Sequence, residues 1–234
     1  LYRNHITEGT GTEGTGIATS PTQIPGLQWY LQGLGLSAGA RADGVRVAVL
    51  DTGTAYENWN DSTGSYARAP DLSAVSFVPG WDFVNDDAHA NDDHGHGTHI
   101  TGVIASTSTV VPIAPGVEIL PIKVLDQANL GTELALAEGI IYAVDHDALV
   151  INLSLSFHPD YFPSRFLQAA ISYAAMRGAI VVAAVGNQGA DVVSYPAAFR
   201  DVIAVGSSRL SRQYRSPRRE PWAGVERFLQ RADY

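Results

Sequence analysis

Residues 92 to 101 read DDHGHGTHIT and place three histidines, His94, His96 and His99, within six positions. An imidazole near neutral pH is either a metal ligand or a proton carrier. The cluster therefore reads as a cation site or as one base with two bystanders. H-x-H-x-x-H can bind zinc, but no helical H-E-x-x-H accompanies it. Asp51 follows the apolar run VRVAVL directly, in VLDTGT. A carboxylate there either caps a turn through Thr52 and Gly53 or belongs to a site at the carboxyl end of the strand. His96 precedes a helix expected to begin near Thr98, and the positive end of that helix favours the neutral imidazole a general base needs. Asn187, in AAVGNQG, is either a turn asparagine or a carboxamide aimed at a developing oxyanion.

These side chains need a scaffold, and the chain supplies one from Val45 onward. VRVAVL (45 to 50), VEILPIKVL (117 to 125), ALVINLSL (148 to 155), AIVVAAV (179 to 185) and DVIAVGS (201 to 207) are short, rich in β-branched residues, and read as buried strands. Helices are expected over Thr98 to Ser106, Thr132 to His146 and Ser164 to Arg177. In the second, Leu134, Ala137, Ile140, Ile141 and Val144 recur at three- and four-residue steps as one apolar face. Alternating strands and helices predict an α/β fold with a doubly wound, mostly parallel sheet and helices on both faces. Ligands of such sheets bind beyond the carboxyl ends of the strands, where Asp51 and Asn187 fall.

The composition fits this reading. The chain has 234 residues, 45% of them hydrophobic, enough to bury a core. With no cysteine, disulfides, thiol catalysis and cysteine-ligated zinc are excluded. No run of about 18 apolar residues and no signal-peptide pattern occurs. The first residue is Leu1 rather than Met, and a longer precursor is expected. The net charge is −9, yet residues 1 to 206 hold 8 Lys or Arg against 21 Asp or Glu, whereas 207 to 234 hold 7 Arg against 3 acids. The body thus repels nucleic acid. EGTGTEGTG (8 to 16) contains a G-x-G-x-x-G spacing but lacks the strand-to-helix context of a dinucleotide site, and reads as a linker. The division expected is a flexible linker over 1–24, one domain over 25–207 and an unrelated tail over 208–234.

VAVLDTG, HGHGTHITGVIA, PIKVL, INLSLS, AAVGNQG, YPA and VIAVGS occur in the order and approximate spacing of the subtilisin-like serine proteases, which the chain resembles over about residues 25 to 207. The resemblance implies a secreted, extracellular Ser-His-Asp endopeptidase, monomeric, acting on an extended peptide or protein, with no nucleic-acid or membrane partner. By position, Asp51 resembles the aspartate that orients the histidine, His96 the general base, and Asn187 the oxyanion donor. That leaves His94 as a loop residue and His99 as a structural one. Ser154, Leu155 and Ser156 resemble one wall of the specificity pocket, Ala184, Val185 and Gly186 the other, and Asn129, Leu130 and Gly131 the strand that pairs with substrate. Where the family usually has glycine this chain has Ser156, and often also at Phe157, so the pocket is expected to be narrowed. In WDFVNDDAHAND, the oxygens of Asp82, Asn85, Asp87 and Asn91 suit calcium. Their spacing resembles the calcium loop of thermitase-like members. The alternative is a solvated acidic loop.

The family's nucleophile lies in a G-T-S-M-A-like segment, and the sequence contains none. Ser207, Ser208, Ser211 and Ser216 fall too early and in the wrong context. After Ser207 the chain reads SRLSRQYRSPRREPWAGVERFLQRADY, without strand alternation. A shift of reading frame explains both the arginines and the lost motif. On this reading the fold is incomplete at its C-terminus, the chain is inactive as it stands, and strands such as AIVVAAV keep an uncovered side. A pseudoprotease or non-catalytic peptide-binding module is the alternative.

Overall fold

A computed structural model of the chain describes residues 41–60, 64–107, 111–158, 160–187, 193–210 and 229–231. The run at 45 to 50 becomes β1 (Arg46–Asp51), the strand on which the sheet is built. Its side chains alternate between two cores, because successive residues of a strand face opposite sides. Ala48 and Leu50 pack on one face, Val47 and Val49 on the other. Four two-residue strands follow: β2 (Trp59–Asn60), β3 (Ser65–Tyr66), β4 (Ser76–Phe77) and β5 (Trp81–Asp82). None was expected, since two residues carry no periodicity to read. Beyond them come α1 (His96–Ala105), β6 (Glu118–Lys123), α2 (Glu133–Asp145), β7 (Val150–Leu153), α3 (Arg165–Met176), β8 (Ile180–Ala184) and β9 (Val202–Val205). All five expected strands and all three helices are present.

The main sheet has the order β4-β6-β1-β7-β8-β9, with β5 also on β6, and every pairing within it is parallel. The chain builds first to one side of β1 and then, after β6, crosses to the other. That reversal opens a crevice at the carboxyl end of β1. α2 and α3 cover one face, with Leu136, Ile140, Leu167 and Ile171 in the larger core, while Ala105, Ile100 and Ile104 of α1 pack on the opposite face. The apolar face of α2 is rotated from the expected one. Ala137, Ile140 and Val144 are buried, with Ala135 and Leu136, but Leu134 stands 54% exposed in the first turn.

Thr132 caps α2 by accepting the Ala135 N–H at 3.0 Å, and Ser164 caps α3 at the N–H groups of Phe166 and Leu167. Glu133 ties the two helices, accepting from the Tyr161 hydroxyl and from the Ser164 hydroxyl and N–H. β9 is an edge strand, and Ile203 and Val205 on it, like Ile180 on β8, are exposed. β10 (Ser208–Leu210) pairs antiparallel with β11 (Leu229–Arg231), two short strands where none was expected. The linker at 1–24 and most of 208–234 lie outside the described residues. Among the described residues no helix is long and apolar enough to cross a membrane.

Candidate active site

Asp51 ends β1 wholly buried, and His96 opens α1 nearly so. Their side chains meet: His96 Nδ1 lies 2.6 Å from Asp51 Oδ1. The Thr52 N–H donates to the same oxygen at 2.7 Å, while Asp51 Oδ2 is buried with no partner among the described residues. A hydrogen bond at Nδ1 fixes the ring and leaves Nε2 as the proton-accepting nitrogen. Two glycines allow the approach. Gly97 holds its Cα where a Cβ would fall 2.0 Å from the Gly53 carbonyl oxygen and 3.1 Å from Asp51 Cβ. Gly53, at φ 101°, would set a Cβ 2.4 Å from the Asn91 carbonyl oxygen.

The helix starts two residues earlier than expected, with His96 as its first residue. Burial is the largest single influence on the His96 ring and pulls its pKa down. The Asp51 hydrogen bond, the Asp51 charge and the Asp92 charge together outweigh burial and hold it above the ordinary histidine value.

Asp92 organises the entry to α1. Gly95, in the N-cap position, has no side chain to cap with. Asp92 Oδ1 accepts from the Thr52 hydroxyl at 2.9 Å and from the N–H groups of His94 and Gly95 at 3.0 and 2.8 Å. Oδ2 accepts from Thr98 N–H and hydroxyl at 2.9 and 2.5 Å. Thr52 Oγ1 in turn accepts the Gly97 N–H at 3.0 Å. The neighbouring Asp93 pairs at 2.6 Å with Lys123, whose ammonium is buried and also donates to the carbonyls of Thr52 and Leu125 at 2.7 and 2.9 Å. One aspartate therefore fixes the side chain of Thr52 and the next, through Lys123, its carbonyl. Sequence reasoning missed Thr52, Asp92, Asp93, Thr98 and Lys123. The signal available was the acidic pair just before a glycine-rich helix start, together with a lysine inside an apolar strand.

The three histidines do not converge. His94 is exposed with its ring 6.4 Å from that of His96, and His99 is exposed on α1. Among the described residues no three His, Asp or Glu side chains gather into a metal-binding group.

The residues expected to line a cleft take positions around the same end of the sheet. Ser154, Leu155 and Ser156 continue from β7, and Ala184, Val185 and Gly186 from the end of its parallel neighbour β8. Leu155 and Ser156 are buried, and Asn152 Nδ2 donates to Ser154 Oγ at 2.9 Å. Phe157 does not project into a cleft; it is buried in the larger core, stacked on Tyr161 at 4.5 Å. Asn187 follows β8, exposed, and β8 lies two positions from β1 in the sheet. Asn129, at φ 58°, Leu130 and Gly131 form a turn closed on Asp126. Both backbone groups of Leu130 bond inward to Asp126, and Gly131 bridges to Leu125. A groove of about 300 Å³ runs beside this turn, lined by Phe83, Val84, Leu130, Thr132 and Ala135.

In the loop after β5, Asp82 is buried and its Oδ1 accepts the N–H groups of Val84 and Asn85, with Asn85 Nδ2 on Oδ2. Burial holds its carboxyl above the usual range, against those N–H groups and the Lys123 charge. Asp82 and Asp87 form a backbone bridge, and Asp87 Oδ1 accepts the His89 N–H at 2.8 Å. Asn91 is buried, and its Oδ1 meets no donor among the described residues.

The subtilase family, peptidase S8, matches residues 42–221, a span that runs past Ser207 into the arginine-rich stretch. Thermitase of Thermoactinomyces vulgaris is 38% identical over 173 residues, covering 72% of this chain and 57% of thermitase. Subtilisin Savinase of Lederbergia lenta is 38% identical over 176 residues, 73% of this chain and 58% of that protein. Sphericase superposes with a TM-score of 0.65 at 25% identity, covering 85% of this chain and 61% of its own. A cold adapted subtilisin-like serine proteinase gives 0.60 at 27% identity, covering 74% and 58%. The chain spans less than three fifths of the length of both curated relatives.

Proposed function

Since the chain belongs to the subtilase family, we propose that it carries the acid-base part of a serine endopeptidase site. The observation that supports this most directly is the buried 2.6 Å contact between Asp51 and His96 at the carboxyl end of a parallel strand. In the complete site a serine hydroxyl attacks the scissile carbonyl carbon. Its proton passes to His96 Nε2 and then to the leaving amine, Asp51 stabilises the imidazolium, and Asn187 donates to the oxyanion. Asn129, Leu130, Gly131, Ser154, Leu155, Ser156, Ala184, Val185 and Gly186 border an extended peptide. Such a substrate, bound through its backbone, leaves sequence selectivity to the pocket walls. A monomer acting outside the cell, without nucleic-acid or membrane partners, is part of the same family reading.

Residues 1–234 contain no G-T-S-M-A-like segment, so this chain by itself is expected to form no acyl-enzyme. A fluorophosphonate probe, which reacts only with an activated serine, tests the reading. The chain should remain unlabelled. A version continued into the reading frame that restores the serine segment should label, and His96→Ala should abolish that labelling. Labelling of the 234-residue chain, or none in the continued one, overturns it. The second reading, a peptide-binding module without catalysis, is favoured by the lost motif beside retained cleft residues. It predicts peptide binding by fluorescence anisotropy with no labelling in either version.

The loop Asp82–Asn91 is the proposed calcium site. The carboxylates of Asp82 and Asp87 with the carboxamides of Asn85 and Asn91 form a hard-oxygen set, and the partnerless buried Asn91 Oδ1 is the atom that most plainly fits a cation. Bound calcium would stiffen the approach to His96.

A further inference from the structure

Between β1 and the 3-10 turn at Pro70–Leu72 the chain forms a small hairpin, β2 paired with β3, which none of the family motifs contains. Its approach is pinned to the calcium loop, where the Thr54 N–H donates to the Ala90 carbonyl at 2.9 Å, and to α1, where the Ala55 N–H donates to Thr98 Oγ1 at 2.9 Å. The Asn58 side chain accepts the Arg68 N–H at 2.9 Å, closing the hairpin's base. From this rigid base Glu57 reaches the loop. Its Oε1 lies 3.0 Å from Asn91 Nδ2 and 2.9 Å from His89 Nδ1, and Trp59 stacks on His89 at 3.6 Å.

An ionised carboxylate can only accept hydrogen bonds, whereas a carboxamide carries a donor at one end and an acceptor at the other. Glu57 therefore selects which end of Asn91 faces it. With Nδ2 held at Glu57, Oδ1 is turned to the other side, and there it sits buried without a donor. We propose that Glu57 is a positioning residue for the divalent-cation site, locking the Asn91 carboxamide so that Oδ1 is presented as a ligand. This rests on the calcium reading of the loop. It adds a residue outside the Asp82–Asn91 segment and gives the hairpin a role.

The test is calorimetric titration of the intact chain with calcium chloride, comparing Glu57→Gln and Glu57→Met. Both variants remove the same charge, but only glutamine keeps an acceptor for Asn91 Nδ2. Loss of an outer partner of a metal ligand weakens binding by roughly 10- to 100-fold. That loss is expected for E57M, with E57Q near the parent. In the E57M background, Asn91→Asp should restore affinity, because both terminal atoms are then oxygens and orientation no longer matters. Thermal unfolding in EDTA separates a merely structural role: the calcium-induced rise in Tm should shrink in E57M while the metal-free Tm stays close to that of E57Q. Unchanged affinity in E57M, or an equal loss in both variants, overturns the positioning role alone. No binding by the parent overturns the calcium reading and this inference with it.

Discussion

Asp92→Ala removes the residue on which the entry to α1 converges. Five donors lose their acceptor: the N–H groups of His94, Gly95 and Thr98 and the hydroxyls of Thr52 and Thr98. A lost helix cap costs about 1 kcal/mol, and a hydrogen bond to a charged acceptor contributes about 1.5–3 kcal/mol. The His94 and Gly95 N–H groups are exposed and regain water, so the cap and the half-buried Thr52 and Thr98 contacts dominate. Their sum, discounted for non-additivity, is about 3–4 kcal/mol. That is a large share of the stability of an ordinary domain. Asp92→Asn keeps one oxygen and should lose roughly half as much. Urea unfolding reads both, as a fall in midpoint at unchanged slope. NMR titration of His96 supplies an independent readout. The Asp92 charge raises the His96 pKa, so both variants should lower it, although they differ in stability. A loss below about 1 kcal/mol in D92A, or an unmoved His96 titration, would refute the clamp.

Asp51→Asn should flatten the pH dependence that His96 gives to stability. Because the folded pKa is raised, that contribution is whole below the unfolded value of about 6.5 and is lost as pH rises through the folded pKa; unfolding midpoints from pH 5 to 9 read it. Lys123→Met strands the Thr52 and Leu125 carbonyls and unpairs Asp93. Breaking a buried pair costs about 3–5 kcal/mol, and the partly exposed Asp93 places the expected loss near the lower end, measured by urea unfolding. The Glu133 carboxyl is pushed up by burial but held below its ordinary pKa by the Ser164 and Tyr161 hydroxyls. Its link between α2 and α3 is present above the unfolded carboxyl range and fades as pH falls. Glu133→Gln should therefore make amide exchange at the start of α3 insensitive to acid.

Much of the fold was legible because burial leaves periodic traces. Five β-branched runs gave five parallel strands, and three stretches between them, one with a clear apolar period, gave three helices. Boundaries were less legible. Leu134 fits the apolar period of α2 but stands exposed, while Ala135 and Leu136 beside it are buried. The two-residue strands depend on pairing with β6 or with each other, and nothing local announces them. Within the site, Asp51 and His96 could be picked out as types of residue at strand and helix ends. Their contact was expected only through the family resemblance, and the pKa direction that follows from it was not expected.

The order of strands and helices, the lack of cysteine, and the motif residues with their family were all set by local pattern and composition, and so could be read from the sequence alone. Which groups meet across 30 to 70 positions depended on chain crossings in the sheet. Only the tertiary structure brought Thr52 to Asp92, Lys123 to Thr52 and Asp93, and Glu57 to Asn91. Hydrogen bonds and ion pairs act over a few ångströms of space, and the packing of β1 between β6 and β7 decides which distant residues share those ångströms.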